Sequence, residues 1–199
     1  MPGFVDTHRH TWQTPVRGVL PSCTLDQYFS GMLDNIGIQY RAEDVYIANL
    51  MGALEALNGG ITTLLDWSHV NNTPEHSDAA IHGLAEAGIR AIYAHGPPVG
   101  ASWWAYSSKE HPEDVRRIRK TYFNSDDQLL QLALAARAPG NTTPDVARHD
   151  WLMARLVAQR AEGLLELAGG DARGRHDQIS NLAIISKTAI SHPPQLAAQ

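Results

Sequence analysis

Cysteine is nearly absent from this chain: Cys23 is the one example in 199 residues. An intrachain disulfide is thereby excluded, and a reduced, cytoplasmic setting is expected. No base stands near Cys23 in sequence, so the thiol reads as structural rather than nucleophilic. The N-terminus lacks a basic segment followed by an apolar one, so no secretory leader is expected. No apolar run approaches the roughly 18 residues that a membrane span requires. Positive charge is not in surplus either: 16 Lys and Arg stand against 21 Asp and Glu, a formal net charge of -5. That balance argues against nucleic acid or an anionic membrane as partner. One local basic run, Arg116, Arg117, Arg119 and Lys120, reads as a solvated helix face.

What is present suits one soluble domain, with 43% hydrophobic and 19% charged residues. Histidine is the abundant oddity, with ten copies, and position decides whether each serves metal or proton chemistry. Residues 3–8 read as a strand, followed by a Gly- and Pro-punctuated loop to about residue 22. Thr24 with Gln27 three residues later marks a helix start. Leu25, Tyr28, Phe29, Met32 and Leu33 follow at helical spacing. A second helix is predicted over 42–58, with Val45, Leu50, Ala53, Leu54 and Leu57 as its apolar stripe and Gly59-Gly60 as its stop. The β-branched run 61–67 reads as a buried strand. Pro74 opens a third helix ending near Gly88, and 89–95 is a third strand. A charged helix is expected over 112–122. Residues 129–136 fit either a helix or a fourth strand. Pro144 opens a long helix to about residue 167, and 181–190 could form one more short strand. Strand and helix alternating at short intervals predict an α/β fold with βα units around a parallel sheet.

The chemistry concentrates at the end of the first strand. Asp6, His8 and His10 are spaced by two, which in a regular strand puts them on one face. Two imidazoles so placed can supply two nitrogen ligands to one metal, with Asp6 behind them to orient a ring. A His-x-His pair alone has little specificity. Here its flanks add to it.

The run Pro2-Gly3-Phe4-Val5-Asp6-Thr7-His8-Arg9-His10 resembles the strand-one signature of the amidohydrolase superfamily, in its cytosine deaminase, S-adenosylhomocysteine deaminase and chlorohydrolase branch. Gly59-Gly60-Ile61-Thr62-Thr63-Leu64-Leu65-Asp66 is similar to that branch's junction into strand two, and 85–95 to its helix-two to strand-three unit. The resemblance implies a (β/α)8 TIM-type barrel, here partial, with its site at the C-terminal ends of the strands. It further implies hydrolysis of a carbon–nitrogen bond in a small heterocycle or amide, by water on a divalent metal, zinc or iron. His8 and His10 are then the strand-one ligands. His69, His95 and Trp103 lie where barrel strands or loops reach the catalytic face and are candidate substrate or metal contacts.

The family also takes histidines from strands five and six and an aspartate from strand eight. None can be placed here: 155–162 reads as helix, His176 lies in a polar loop and His192 precedes two prolines. About four of eight βα units are expected, over residues 1–154, with a divergent tail over 155–199 such as an altered reading frame would produce. The alternative is a catalytically inactive barrel remnant that binds metal or oligomerises. Exposed half-barrel edges lead to an expectation of homo-oligomers. His76, His82, His111 and His149 are expected on solvated helix surfaces.

Overall fold

The computed structural model describes residues 2–125 and 127–167, with side chains described as far as Val157. The expected strand over 181–190, His176 and His192 lie outside the described residues.

Four strands, β1 (Phe4–Arg9), β2 (Ile61–Ser68), β3 (Arg90–His95) and β4 (Leu130–Leu134), form one sheet in the order β1-β2-β3-β4. Every pairing is parallel. Helices fill the connections: α1 (Leu25–Tyr28), α2 (Ala42–Asn58), α3 (Pro74–Ala87), α4 (Ala101–Trp104), α5 (Asp114–Tyr122) and α6 (Pro144–Leu167). Parallel strands need such crossovers because a tight turn cannot join them. The ambiguous run at 129–136 becomes β4, because Ala91 to His95 offer it an open parallel edge.

Local chemistry sets the helix ends. Thr24 forms the expected capping box: Gln27 N donates to its hydroxyl and Thr24 N donates to the Gln27 side chain. The segment does not continue as one α-helix, however. After one turn it widens into a π-helix, Phe29–Ile36. Gly88 ends α3 at φ 70°, a left-handed position that glycine takes without penalty.

The main core lies between the sheet and the helices. Leu64, Ala91, Tyr93 and Leu130 face Val45, Ala53, Ile81, Leu84 and Ile118. Leu54, expected in the α2 stripe, is instead 47% exposed, while Ala48, Gly52 and Ala56 take the buried side. Small residues are needed there because α2 and the turns after β1 approach closely.

Gly83 has the same role between α2 and α3: a Cβ would sit 2.6 Å from Tyr46 O and 3.0 Å from Leu50 N. Gly83→Ala must push the helices apart. It is expected to cost about 1–3 kcal/mol in chemical denaturation; an unchanged midpoint would refute the close contact.

The opposite face of the sheet carries no helix among the described residues. Leu65, Ala94 and Ala135 form a small apolar cluster there with Trp67, Ile92 and Ala133. Among the described residues β1 and β4 are its two edges.

Candidate metal centre at the strand-one tip

His8 and His10 converge. Their Nε2 atoms lie 3.3 Å apart. Two nitrogens each ~2.0–2.1 Å from one tetrahedral cation stand about 3.3–3.4 Å apart by geometry, so the spacing matches a shared cation. His10 Nδ1–H donates to Trp67 O at 2.8 Å. This bond sets the ring's tautomer and leaves the Nε2 lone pair turned toward His8. Burial holds the His10 imidazole below its ordinary pKa, and the neighbouring His8 adds to the effect. A neutral ring is what a metal ligand must be.

Asp6 does not share their face. The β1–β2 register slips between Asp6 and Arg9: Asp6 aligns with Leu64 and Arg9 with Asp66. Leu64 and Asp66 are two apart on β2 and point toward the helices, so Asp6 and Arg9 do as well. The Asp6 carboxylate accepts from His8 N at 3.2 Å and lies 3.7 Å from the Arg9 guanidinium. It steadies the backbone of the irregular turn and touches no imidazole in the described contacts.

His69 joins the site from the end of β2. Its ring stacks on His10 with centroids 4.3 Å apart and planes 26° from parallel. Stacked rings aim their lone pairs side by side rather than at a common point. Trp12 Nε1–H donates to His69 Nδ1 at 2.9 Å, which assigns the ring proton to Nε2. Burial, then the adjacent His10 and His8, hold His69 well below its ordinary pKa. Trp12→Phe removes that donor and strands a buried acceptor. A loss of about 2 kcal/mol is expected, with the His69 tautomer mixture visible in ¹⁵N NMR; an unchanged tautomer would contradict the assignment.

His95 is not brought to this place. It pairs in register with Ser68 and Leu134 on the helix-facing side of the sheet. Its Nδ1 contacts His111 Nε2 at 2.9 Å, and its Nε2 lies 3.3 Å from Ser77 Oγ and 3.6 Å from Asp114 Oδ2. Burial lowers the pKa of both rings. His111 and His76 are therefore buried, contrary to the solvated surface expected of them. Their partners, the His95 ring and Tyr40 O, come from distant parts of the chain. His82 is exposed and His149 half-exposed. Trp103 also lies elsewhere, under the Lys109 ammonium at 4.8 Å. Its neighbour Trp104 meets the site instead, edge-on to His69 at 5.5 Å.

Beside His10 opens a cleft of about 570 Å³, lined among others by Gln13, Cys23, Tyr28, Arg9, Arg17 and Glu55. Gln13 Nε2 donates to the Tyr28 hydroxyl across it. Arg9 and Arg17 share the Glu55 carboxylate, so neither guanidinium stands as an uncompensated charge.

The donor set thus fits two ligands of a divalent cation. A catalytic zinc site has three protein ligands. Among the described residues, no group of three or more His, Cys, Asp or Glu side chains is placed to hold a metal.

Parallel βα units with a pair of histidines at the strand-one tip are the elements of a partial (β/α) barrel. Sequence comparison agrees: residues 1–162 match the amidohydrolase family, and the chain belongs to it. A 5-methylthioadenosine/S-adenosylhomocysteine deaminase of Symbiobacterium thermophilum is 35% identical over 96 residues, which is 48% of this chain and 21% of that protein. The same-named deaminase of Shouchella clausii is 27% identical over 165 residues, 82% of this chain and 35% of that protein. The chain therefore spans about a fifth to a third of the curated relatives it matches.

Among solved structures, an atrazine chlorohydrolase variant of Arthrobacter aurescens with zinc and atraton superposes at a TM-score of 0.62 and 20% identity. The match covers 78% of this chain and 38% of that one. An adenosine deaminase of Xanthomonas campestris with bound zinc gives 0.58 at 19% identity, covering 90% and 42%. The fold is a partial barrel of this kind. Among the described residues no helix is long and apolar enough to cross a membrane.

Proposed function

We propose that this chain carries the strand-one half of a metal-dependent hydrolase acting on carbon–nitrogen bonds of a small heterocycle or amide in the cytoplasm. The observation that carries the reading is the 3.3 Å approach of His8 Nε2 and His10 Nε2 with the His10 tautomer fixed by Trp67 O. Kinship with deaminases and a zinc-bearing chlorohydrolase supports the substrate class. His8 and His10 would hold zinc or iron, which when bound acidifies a water molecule. The chain's own groups do the rest. Trp67 O keeps the His10 ring in its ligand tautomer, and Trp12 fixes His69 against it. His69 and Trp104 form an aromatic wall beside the pair. Residues 1–154 are the barrel part of this reading, and 155–199 the divergent tail.

A second reading is an inactive barrel remnant that at most binds metal or oligomerises. It is favoured by one observation: two donors, not three, meet among the described residues.

Metal content of the purified chain tests the first reading. Stoichiometric zinc or iron lost in both His8→Ala and His10→Ala is expected. Metal retained in both variants, or absent from the native chain, would refute the assignment.

A further inference from the structure

We propose that Asn141 is a positioning residue for the candidate site: from the turn after β4 it holds Trp104 against His69. Trp104 belongs to α4, a single turn of four residues. So short a helix cannot hold its own shape, and the carbonyls of its last residues have no partner within it. Both are met from the β4–α6 connection. Arg137 Nη1 donates to Trp103 O at 3.1 Å, and Asn141 Nδ2 donates to Trp104 O at 3.0 Å.

The backbone closes the same seam. Ser107 N, which a longer helix would give to Trp103 O, donates to Asn141 O at 2.8 Å, and Ser107 O accepts from Thr143 N at 3.3 Å. Ser107 and Thr142 form a parallel bridge and both are buried. Between α4 and this seam stands Tyr106 at φ 46°, a left-handed position in a residue other than glycine. Backbone strained in this way persists only where its surroundings fix it. The carbonyl bonds at Trp103 and Trp104 on one side of Tyr106, and the seam at Ser107 on the other, fix it here. With the backbone so held, the Trp104 indole N–H donates to Pro98 O at 3.0 Å and its ring stands edge-on to His69 at 5.5 Å. His69 in turn stacks on His10. Asn141 therefore acts on the histidine pair through Trp104 and His69. Arg137 serves the same loop, but its pairing with buried Asp150 makes its loss disturb more than the aromatic wall. The half-buried Asn141 isolates the effect. The clasp stands on geometry alone; its bearing on catalysis rests on the metal reading above.

Nuclear Overhauser spectra of the full-length chain test this, with Trp104→Phe used to assign the indole resonance. A contact between the Trp104 and His69 rings is expected in the native chain. Asn141→Ala, and Asn141→Asp, which keeps the shape but not the N–H donor, are each expected to lose it and to shift the His69 ring protons, with an unchanged far-UV spectrum. Lys109→Ala trims a side chain that lies over Trp103 and should keep the contact. A contact retained in Asn141→Asp, lost equally in Lys109→Ala, or absent from the native chain would each overturn the proposal. Zinc titrated into the same samples separates it from the metal reading: a native chain that binds none, with the contact still lost in Asn141→Asp, retains the positioning role and sinks that reading instead.

Discussion

Arg137→Met lowers the unfolding free energy by about 3–5 kcal/mol, the cost of leaving one charge of a buried pair without its partner. Arg137 follows β4 and its side chain is fully buried; Asp150 on α6 is nearly so, and the two meet at 3.1 Å. The guanidinium also donates to Trp103 O and Lys109 O. Asp150 accepts from His111 N at 2.9 Å. One ion pair thus ties the last strand, the long helix and the loop after β3 together. Removing the cation leaves a buried carboxylate whose remaining partners, the His111 amide and the His149 ring at 3.3 Å, both lie on Oδ1. Arg137→Met with Asp150→Leu should recover much of the loss, because a matched apolar pair carries no desolvation cost. Urea denaturation of the single and double variants measures both. A single variant within 1 kcal/mol of the native chain would refute the account.

Asp66→Asn works in the opposite direction and stabilises the protein by roughly 3 kcal/mol at pH 7. Asp66 is fully buried, with one carboxylate oxygen accepting from Thr11 N at 3.0 Å and the other without a partner. Burial pushes its carboxyl up to about 6 from 3.8, with the Thr11 hydrogen bonds and then Arg9 pulling partly back. Between about pH 4 and 6 the folded state holds a proton that the unfolded state has released. Stability contributed by this group therefore falls as pH rises through that window. Asparagine keeps the acceptor for Thr11 and carries no charge. The buried histidines His69, His95 and His111 act in the opposite sense, since their pKa values are lowered by burial. Below the ordinary imidazole value the unfolded chain takes protons that the folded chain refuses, and stability falls with acid. These contributions cancel in the difference between Asp66→Asn and the native chain. That difference should grow from near zero at pH 4 to its full value above pH 6. A pH-independent difference would show that Asp66 titrates normally.

Much of the scaffold was legible because it rests on local rules. The helix starts at Thr24 and Pro74 and the stop at Gly88 follow from capping and glycine chemistry. His8 and His10 have their Nε2 atoms 3.3 Å apart, although the strand is irregular between Asp6 and Arg9 and His10 falls just beyond its end, so regular two-residue alternation does not account for the approach. The position of Asp6 was not legible either, because a slip in strand register reverses a side chain's face and leaves no mark in the sequence. Burial of His76 and His111 was hidden for another reason: their partners lie 36 and 16 residues away. Periodicity reports a residue's place on its own helix and is silent about what folds over it. Trp103 and Trp104 are adjacent and chemically identical, so only the turn of a four-residue helix decides which one meets His69.

The strand order β1-β2-β3-β4 copies the order of synthesis. Each of the described strands after β1 has a pairing partner already made when it leaves the ribosome, and the contacts closed at each step span one βα unit. Assembly can therefore proceed from the N-terminal end outward, with short loops closed in turn and no strand required to wait for a distant one.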